Sequence, residues 1–195
     1  MGDWDQSVTW QDLEARLEAT ANPRHRQMLQ VVIDHGKAEA VGDVEALIAS
    51  LSADPQYRFW SQGRDVGPKG RDAIRAFYDD FVASGSGFFE SRKLRIVVDD
   101  DTIVTENAMR AIVPGAVARA RGYAIDDLEG HYLVANRTVI LWVFDESCAL
   151  VGEDSYASSD ITDIQRVPDD ELPDEYLAML DVIKEPSRRS RSGPH

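Results

Sequence analysis

The sequence predicts an α+β protein, and three observations predict it. Helical periodicity prevails in the first half of the chain up to about residue 84. Four long strand segments then follow, paired by two short acidic turns. Helices grouped before a run of antiparallel strands imply α+β architecture. Neither a βαβ rhythm nor a glycine-rich phosphate fingerprint occurs, and "GPKGRD" lacks the Lys-Ser/Thr ending of a P-loop, which argues against a nucleotide fold.

Residues 9–20, "TWQDLEARLEAT", form a short amphipathic helix, with Thr9 as its N-cap and Asp12 three residues on. "ANPR" breaks it. A second helix covers 24–41. Gly42-Asp43 punctuates it, and Asp43 caps a third helix over 44–52. "YRFWS" (57–61) is a short aromatic strand, and "RDAIRAFYDDFVAS" (71–84) is a helix with Ile74, Phe77, Tyr78 and Phe81 on one side. "SRKLRIVVDD" and "TIVTENAMRAIV" flank a turn at Asp100-Asp101, and "HYLVANRTVILWVF" (131–144) and "ALVGEDSYAS" (149–158) flank "DESC". The connection 114–130 is long for a compact domain; it is either a lid or binding loop, or a small surface helix. A last amphipathic helix covers 174–185, followed by a disordered basic tail that is either a modification site or an expression scar. The expected division is a helical extension (1–22), a main domain (23–166), and a C-terminal helix with its tail (167–195).

The chain has 195 residues and a net charge of −14. Three of its arginines lie in 187–195; the remaining body carries 18 basic against 35 acidic side chains. Such a body repels nucleic acid and anionic lipid, so neither is an expected partner. The single cysteine, Cys148, excludes an internal disulfide. No apolar run reaches the ~20 residues of a membrane span, and "MGDWDQSVTWQD" has no signal-peptide pattern. A cytoplasmic location is expected.

Two stretches carry a family likeness. "AVGDVEALIASLSAD" (40–54) has a Gly-Asp helix break, a short apolar helix and a loop ending in Asp; "GPKGRDAIRAFY" (67–78) has a glycine before a helix that opens Ala-Ile and ends Phe-Tyr. In this order, before four long strands, they resemble the superfamily of nuclear transport factor 2, ketosteroid isomerase and the small SnoaL-like polyketide cyclases. The resemblance spans about residues 24–160. It implies a cone-shaped (cystatin-like) fold, with a curved antiparallel sheet wrapped on N-terminal helices around an apolar pocket. It also implies chemistry without a cofactor, and a homodimer or other homo-oligomer. The pattern departs from the family in two places. The region matching the ketosteroid isomerase base aspartate is Tyr57-Arg58-Phe59-Trp60, with no carboxylate, and the Asp-Arg-Asp grouping of limonene epoxide hydrolases is absent. Ketosteroid isomerisation by the known arrangement is therefore not expected.

His35 and Glu39 are the first candidate site. Both lie on the apolar arc of the second helix, near Met28, Val31 and Val32. The resemblance puts His35 where ketosteroid isomerases carry a helix-borne tyrosine. A carboxylate one turn away orients an imidazole and raises its pKa, which suits acid–base work; otherwise the two are a buried pair that fixes packing. His131 opens a strand after the long connection, and is either a second acid–base group or a surface histidine. Alternation puts Glu153 and Ser155 on one strand face and Asp154 and Tyr156 on the other. Glu153 is favoured as a working acid, with Tyr156 as the hydroxyl donor in the opposite register. Glu106 and Arg110 share a face and form a pocket ion pair or a solvated one. Tyr57, Phe59, Trp60, Trp142 and Phe144 suit an apolar ligand wall. The histidines show no ligand spacing, so no metal is expected.

Two functions fit these residues. One is a cofactor-independent isomerase, dehydratase, cyclase or carbon–carbon lyase acting on a hydrophobic, aromatic or polycyclic molecule. The other is a non-catalytic binding or dimerisation module. Two titratable groups converging on one void separate the first from the second.

Overall fold

The computed structural model describes residues 3–61, 63–158 and 164–189, apart from the side chains of 61, 158 and 184–189. Helices α1 (Val8–Glu18), α2 (Pro23–Val41) and α3 (Val44–Ala49) come first, then strands β1 (Arg58–Ser61) and β2 (Arg64–Asp65) and helix α4 (Arg71–Ala83). Long strands β3 (Phe89–Val98) and β4 (Thr102–Pro114) follow, then α5 (Gly115–Ala120), β5 (His131–Phe144), β6 (Leu150–Ser158), β7 (Ile164–Val167) and α6 (Asp174–Arg189). The connection 114–130 thus contains a small helix. The last helix extends past residue 185 to Arg189, and the expected tail beyond it, 190–195, lies outside the described residues.

The sheet is curved and unclosed, in the order β2-β1-β6-β5-β4-β3, with β7 added alongside β5. It is mixed rather than wholly antiparallel. β1 pairs parallel with β6, Phe59 opposite Ser155, because α4 and the two long hairpins intervene between them in the chain. The β3–β4 and β5–β6 hairpins turn where the acidic dipeptides stand. Arg24, at the start of α2, fastens both turns: its guanidinium donates to the carbonyls of Asp100, Asp145 and Glu146.

Local chemistry sets the helix ends. Asn22 caps α2 by accepting from the Arg24 and His25 amides, with Pro23 at the first position. Gly42 closes α2 in the left-handed region at φ 70°, and Asp43 caps α3 through the Ala46 amide, as the sequence predicts. Thr9 is not the cap of α1. Ser7 occupies that position, while Thr9 is buried and its Oγ1 accepts from the Ser91 amide at 3.1 Å. Asp12 likewise accepts from the Lys93 amide at 3.2 Å. β3 is an edge strand with unpaired N–H groups, and α1 satisfies them from outside the ladder.

The main core joins Leu13 of α1, Met28, Leu29, Val32 and Ile33 of α2, and Ile74 and Tyr78 of α4 to the inner face of the sheet. α6 docks through Tyr176 and Leu180 onto Phe88 and Ile112. Among the described residues no helix is long and apolar enough to cross a membrane.

Candidate active site

The inner face of the sheet follows from register. Phe59 of β1, Glu153 and Ser155 of β6, Thr138, Ile140 and Trp142 of β5, Met109 of β4, and Phe89, Ser91 and Lys93 of β3 all point to the same side. Against them stand Thr9 and Leu13 of α1, Val32, Gly36 and Glu39 of α2, and Phe77 and Phe81 of α4. Between the two layers lies a cavity of about 370 Å³. Its wall is mostly apolar, with Glu39, Glu153, Lys93 and Arg121 as the charged groups.

His35 sits directly behind this wall. Its side chain is fully buried, and its ring packs edge-on against Trp142 and Tyr78, with centroids 5.4 and 5.8 Å away. Nε2 lies 2.9 Å from the Tyr78 hydroxyl, 3.6 Å from Glu39 Oε1 and 4.0 Å from Glu153 Oε2. Tyr78 in turn meets Tyr57, hydroxyl to hydroxyl, at 3.2 Å. Nδ1 is buried without a hydrogen-bond partner among the described residues. The imidazole therefore does not reach the void itself; the two carboxyl groups that flank it do.

The electrostatics follow from this burial. For His35, desolvation pulls the pKa down, but the contact with Glu39 and the charges of Glu39 and Glu153 outweigh it, and the net shift is upward. For Glu153, desolvation and then the Glu39 charge push the pKa up to about 8, with His35 and Lys93 opposing. For Lys93, desolvation lowers it to about 8 against the pull of Glu39, Asp12 and Glu153. Burial also raises both Tyr57 and Tyr78 well above the ordinary phenol value. The result is a carboxyl whose hold on its proton is raised, a second carboxyl beside it on the wall of an apolar chamber, and behind them a buried imidazole shifted toward its cation.

The network on β4 and β5 holds Trp142 in place. Its Nε1 donates to Thr105 Oγ1 at 3.2 Å, and Asn107 Nδ2 ties Thr105 to Thr138. Of the aromatic wall, Phe59 and Trp142 line the cavity. Tyr57 is buried behind it as the partner of Tyr78, and Phe144 is core.

Other candidates fall elsewhere. Trp60 and Tyr156 stack on each other at 6.3 Å on the outer face, 42% and 45% exposed, because alternation turns them away from Phe59 and Ser155. Glu106 and Arg110 do not pair. Four residues along a strand span about 13 Å, so each finds a cross-strand partner instead: Glu106 takes Arg95 and Arg137, and Arg110 takes Glu90 at 2.5 Å. His131 Nδ1 lies 2.8 Å from the Tyr176 hydroxyl, and α6 covers it away from the acidic pair. Tyr78, Lys93 and Arg121 are additions that the sequence reading did not select.

His35, Glu39 and Glu153 are also the described residues able to hold a metal ion, their ligating atoms lying within 4.8 Å of one another. The Tyr78 hydroxyl already occupies the Nε2 direction, so a metal there requires it to be displaced.

A curved open sheet closed by helices over an apolar chamber defines the nuclear transport factor 2-like class. The chain belongs to the SnoaL-like domain family, which matches residues 32–136. No curated protein sequence matches it at significance. Solved structures share the fold at low identity. A SnoaL-like polyketide cyclase, so described, from Shewanella denitrificans is 16% identical with a TM-score of 0.54, over 67% of this chain and 90% of that one. The epoxide hydrolase/cyclase-like enzyme SalBIII, described in pyran ring formation in the polyether salinomycin, is 11% identical with a TM-score of 0.52, over 73% and 97%. An LEH-like epoxide hydrolase of M. tuberculosis is 16% identical with a TM-score of 0.50, over 84% and 99%.

Proposed function

We propose that this protein is a cofactor-independent acid–base enzyme acting on an apolar, aromatic or polycyclic oxygenated small molecule. The observation that carries the reading is the convergence of Glu39 and Glu153 on one apolar cavity, with His35 between and behind them. A pocket used only for binding needs no such pair. Separating the proton affinities of two neighbouring groups is how one site holds both an acid and a base.

Glu153 keeps its proton through neutral pH and serves as the acid toward a substrate oxygen. Glu39, its charge balanced by the imidazole, accepts the proton from carbon or hydroxyl. His35 acts through these two as a positioning group. Phe59, Phe77 and Trp142 hold the rings of the substrate. Proton removal at one position and delivery at another is the shared first step of isomerisation, dehydration, cyclisation and carbon–carbon cleavage. The SnoaL-like family and the cyclase and epoxide-hydrolase-like neighbours support a reaction of this group. The reading extends to a cytoplasmic homodimer, which sedimentation velocity checks.

The test is solvent deuterium exchange at the acidic carbon of 2-tetralone, followed by NMR in deuterium oxide. The protein is expected to accelerate exchange over buffer, and E39Q and E153Q each to lose about 10²–10⁴-fold of that acceleration. No acceleration across a panel of bicyclic ketones, or full acceleration in both variants with unchanged circular dichroism, rejects the reading.

A further inference from the structure

Lys93 is the one lysine on the cavity wall. It comes from the edge strand β3, two residues after Ser91, and its Nζ donates to the Ser91 carbonyl at 2.9 Å and to Ser91 Oγ at 3.1 Å. Among the described residues no carboxylate lies within 4.0 Å of its Nζ, Asp12 meeting only its backbone amide; the charges that face the ammonium are Asp12 from α1, Glu39 from α2 and Glu153 from β6. A lysine kept for structure is ordinarily ion-paired or extended into water. This one is held by its stem and by Ser91 in an apolar chamber, near the two carboxyl groups but outside contact with them.

We propose that Lys93 is an amine nucleophile that captures a carbonyl substrate, an aldehyde or ketone on an aromatic body, as an imine. The proposal rests on the acid–base reading above, since the same two carboxyl groups move its protons. Burial supports it by bringing the ammonium down to about 8, so the free amine is populated near neutral pH. In the step itself, the Nζ lone pair forms a bond to the carbonyl carbon while the carbonyl π pair moves to oxygen. That oxygen takes the Glu153 proton. The added nitrogen sheds a proton to Glu39, and the carbinolamine hydroxyl takes that proton back from Glu39 and leaves as water. Amine, carbonyl and the Glu153 proton give iminium, water and the Glu153 carboxylate, with charge conserved and no oxidant or reductant required. The resulting cation withdraws electrons from the adjacent carbon, which is what proton abstraction or carbon–carbon cleavage at that position needs.

The experiment traps the imine. The full-length protein is incubated with 2-naphthaldehyde and sodium cyanoborohydride across pH 6–10, and adducts are located by peptide mass mapping. One adduct is expected at Lys93, rising with a midpoint near pH 8 and, near neutral pH, forming about tenfold faster than at the surface lysines Lys37 and Lys69. K93R is expected to lose this adduct. Labelling of Lys37 and Lys69 with an unmodified Lys93 peptide in the wild-type chain overturns the proposal without recourse to any variant. Tetralone exchange in the same preparation separates the two readings. Glu39- and Glu153-dependent exchange without a Lys93 adduct removes the imine alone. A Lys93 adduct without that dependence leaves the amine step and rejects its proton partners.

Discussion

The Tyr78 hydroxyl stands 2.9 Å from His35 Nε2, so a helix packed across the core, and not the helix that carries the histidine, fixes the direction of the imidazole. The same hydroxyl reaches Tyr57. Y78F removes one oxygen, which takes the hydroxyl partner from buried Tyr57 and leaves His35 Nε2 only its longer contacts with Glu39 and Glu153. It is expected to cost about 1–3 kcal/mol in urea unfolding. It should also move the pH profile of tetralone exchange, because the imidazole that biases both carboxyl groups loses its anchor; a purely structural hydroxyl would leave that profile in place.

The stability of the protein should depend on pH in a direction set by Glu153. In the unfolded chain this carboxyl titrates near 4.5, and in the folded protein near 8. Between those values the folded protein holds a proton that the unfolded chain has released, so rising pH favours unfolding. His35 adds to the fall, since its folded pKa lies above 6.5 and the stability present below that value is lost as pH rises through the folded one. Lys93 acts oppositely between about 8 and 10.5, where the folded amine has already lost its proton and stability recovers. Urea unfolding is expected to show a shallow minimum near pH 8, and E153Q to flatten the acidic side of it.

A β-bulge directly follows Lys93. Lys93 pairs with Asn107 and Arg95 with Glu106, so Leu94 is the extra residue, 44% exposed. Deleting Leu94 restores an unbroken ladder in which Lys93, still opposite Asn107, keeps the inner face and Arg95, opposite Glu106, the outer one. Imine labelling of that lysine should then persist ahead of Lys37 and Lys69, and a drop to their level would show that the bulge itself is needed to seat the amine in the chamber.

Gly42 ends α2 at φ 70°, and a Cβ there would meet the Val82 methyls at 3.3 Å. G42A is expected to cost about 1–2 kcal/mol from the left-handed conformation, read from the urea midpoint. Glu39 lies in the turn that Gly42 closes, so exchange should fall as well.

The same bulge shows why part of the site was hidden in the sequence. Alternation counted back from Ile96 and Val98, which pack on the core, turns Leu94 inward and Lys93 outward, the reverse of what the chain does. His35 and Glu39 obey the helical period, and counting places them on the face they occupy; strand counting pairs Glu153 with Ser155 but leaves open which side of so short a strand is concave, and the register against β5 decides it. That His35 lies behind the wall depends on the depth of its packing against Tyr78 and Trp142, which no single-element periodicity carries. The element order and the Gly-Asp break were legible because each rests on local chemistry. The parallel β1–β6 pairing was not, being a contact nearly 100 residues apart along the chain.

Helix α1 precedes the segment that the SnoaL-like family matches, yet Thr9 and Leu13 close one side of the chamber, and α1 occupies the bare rim of β3. A chain begun at residue 23 would keep the vessel and lose its seal. Bulk water would then hydrate Glu153 and Lys93, and their proton affinities would drift back toward those of free amino acids. The shared scaffold supplies the shape, whereas the dryness that makes these groups unusual is brought by a helix outside it.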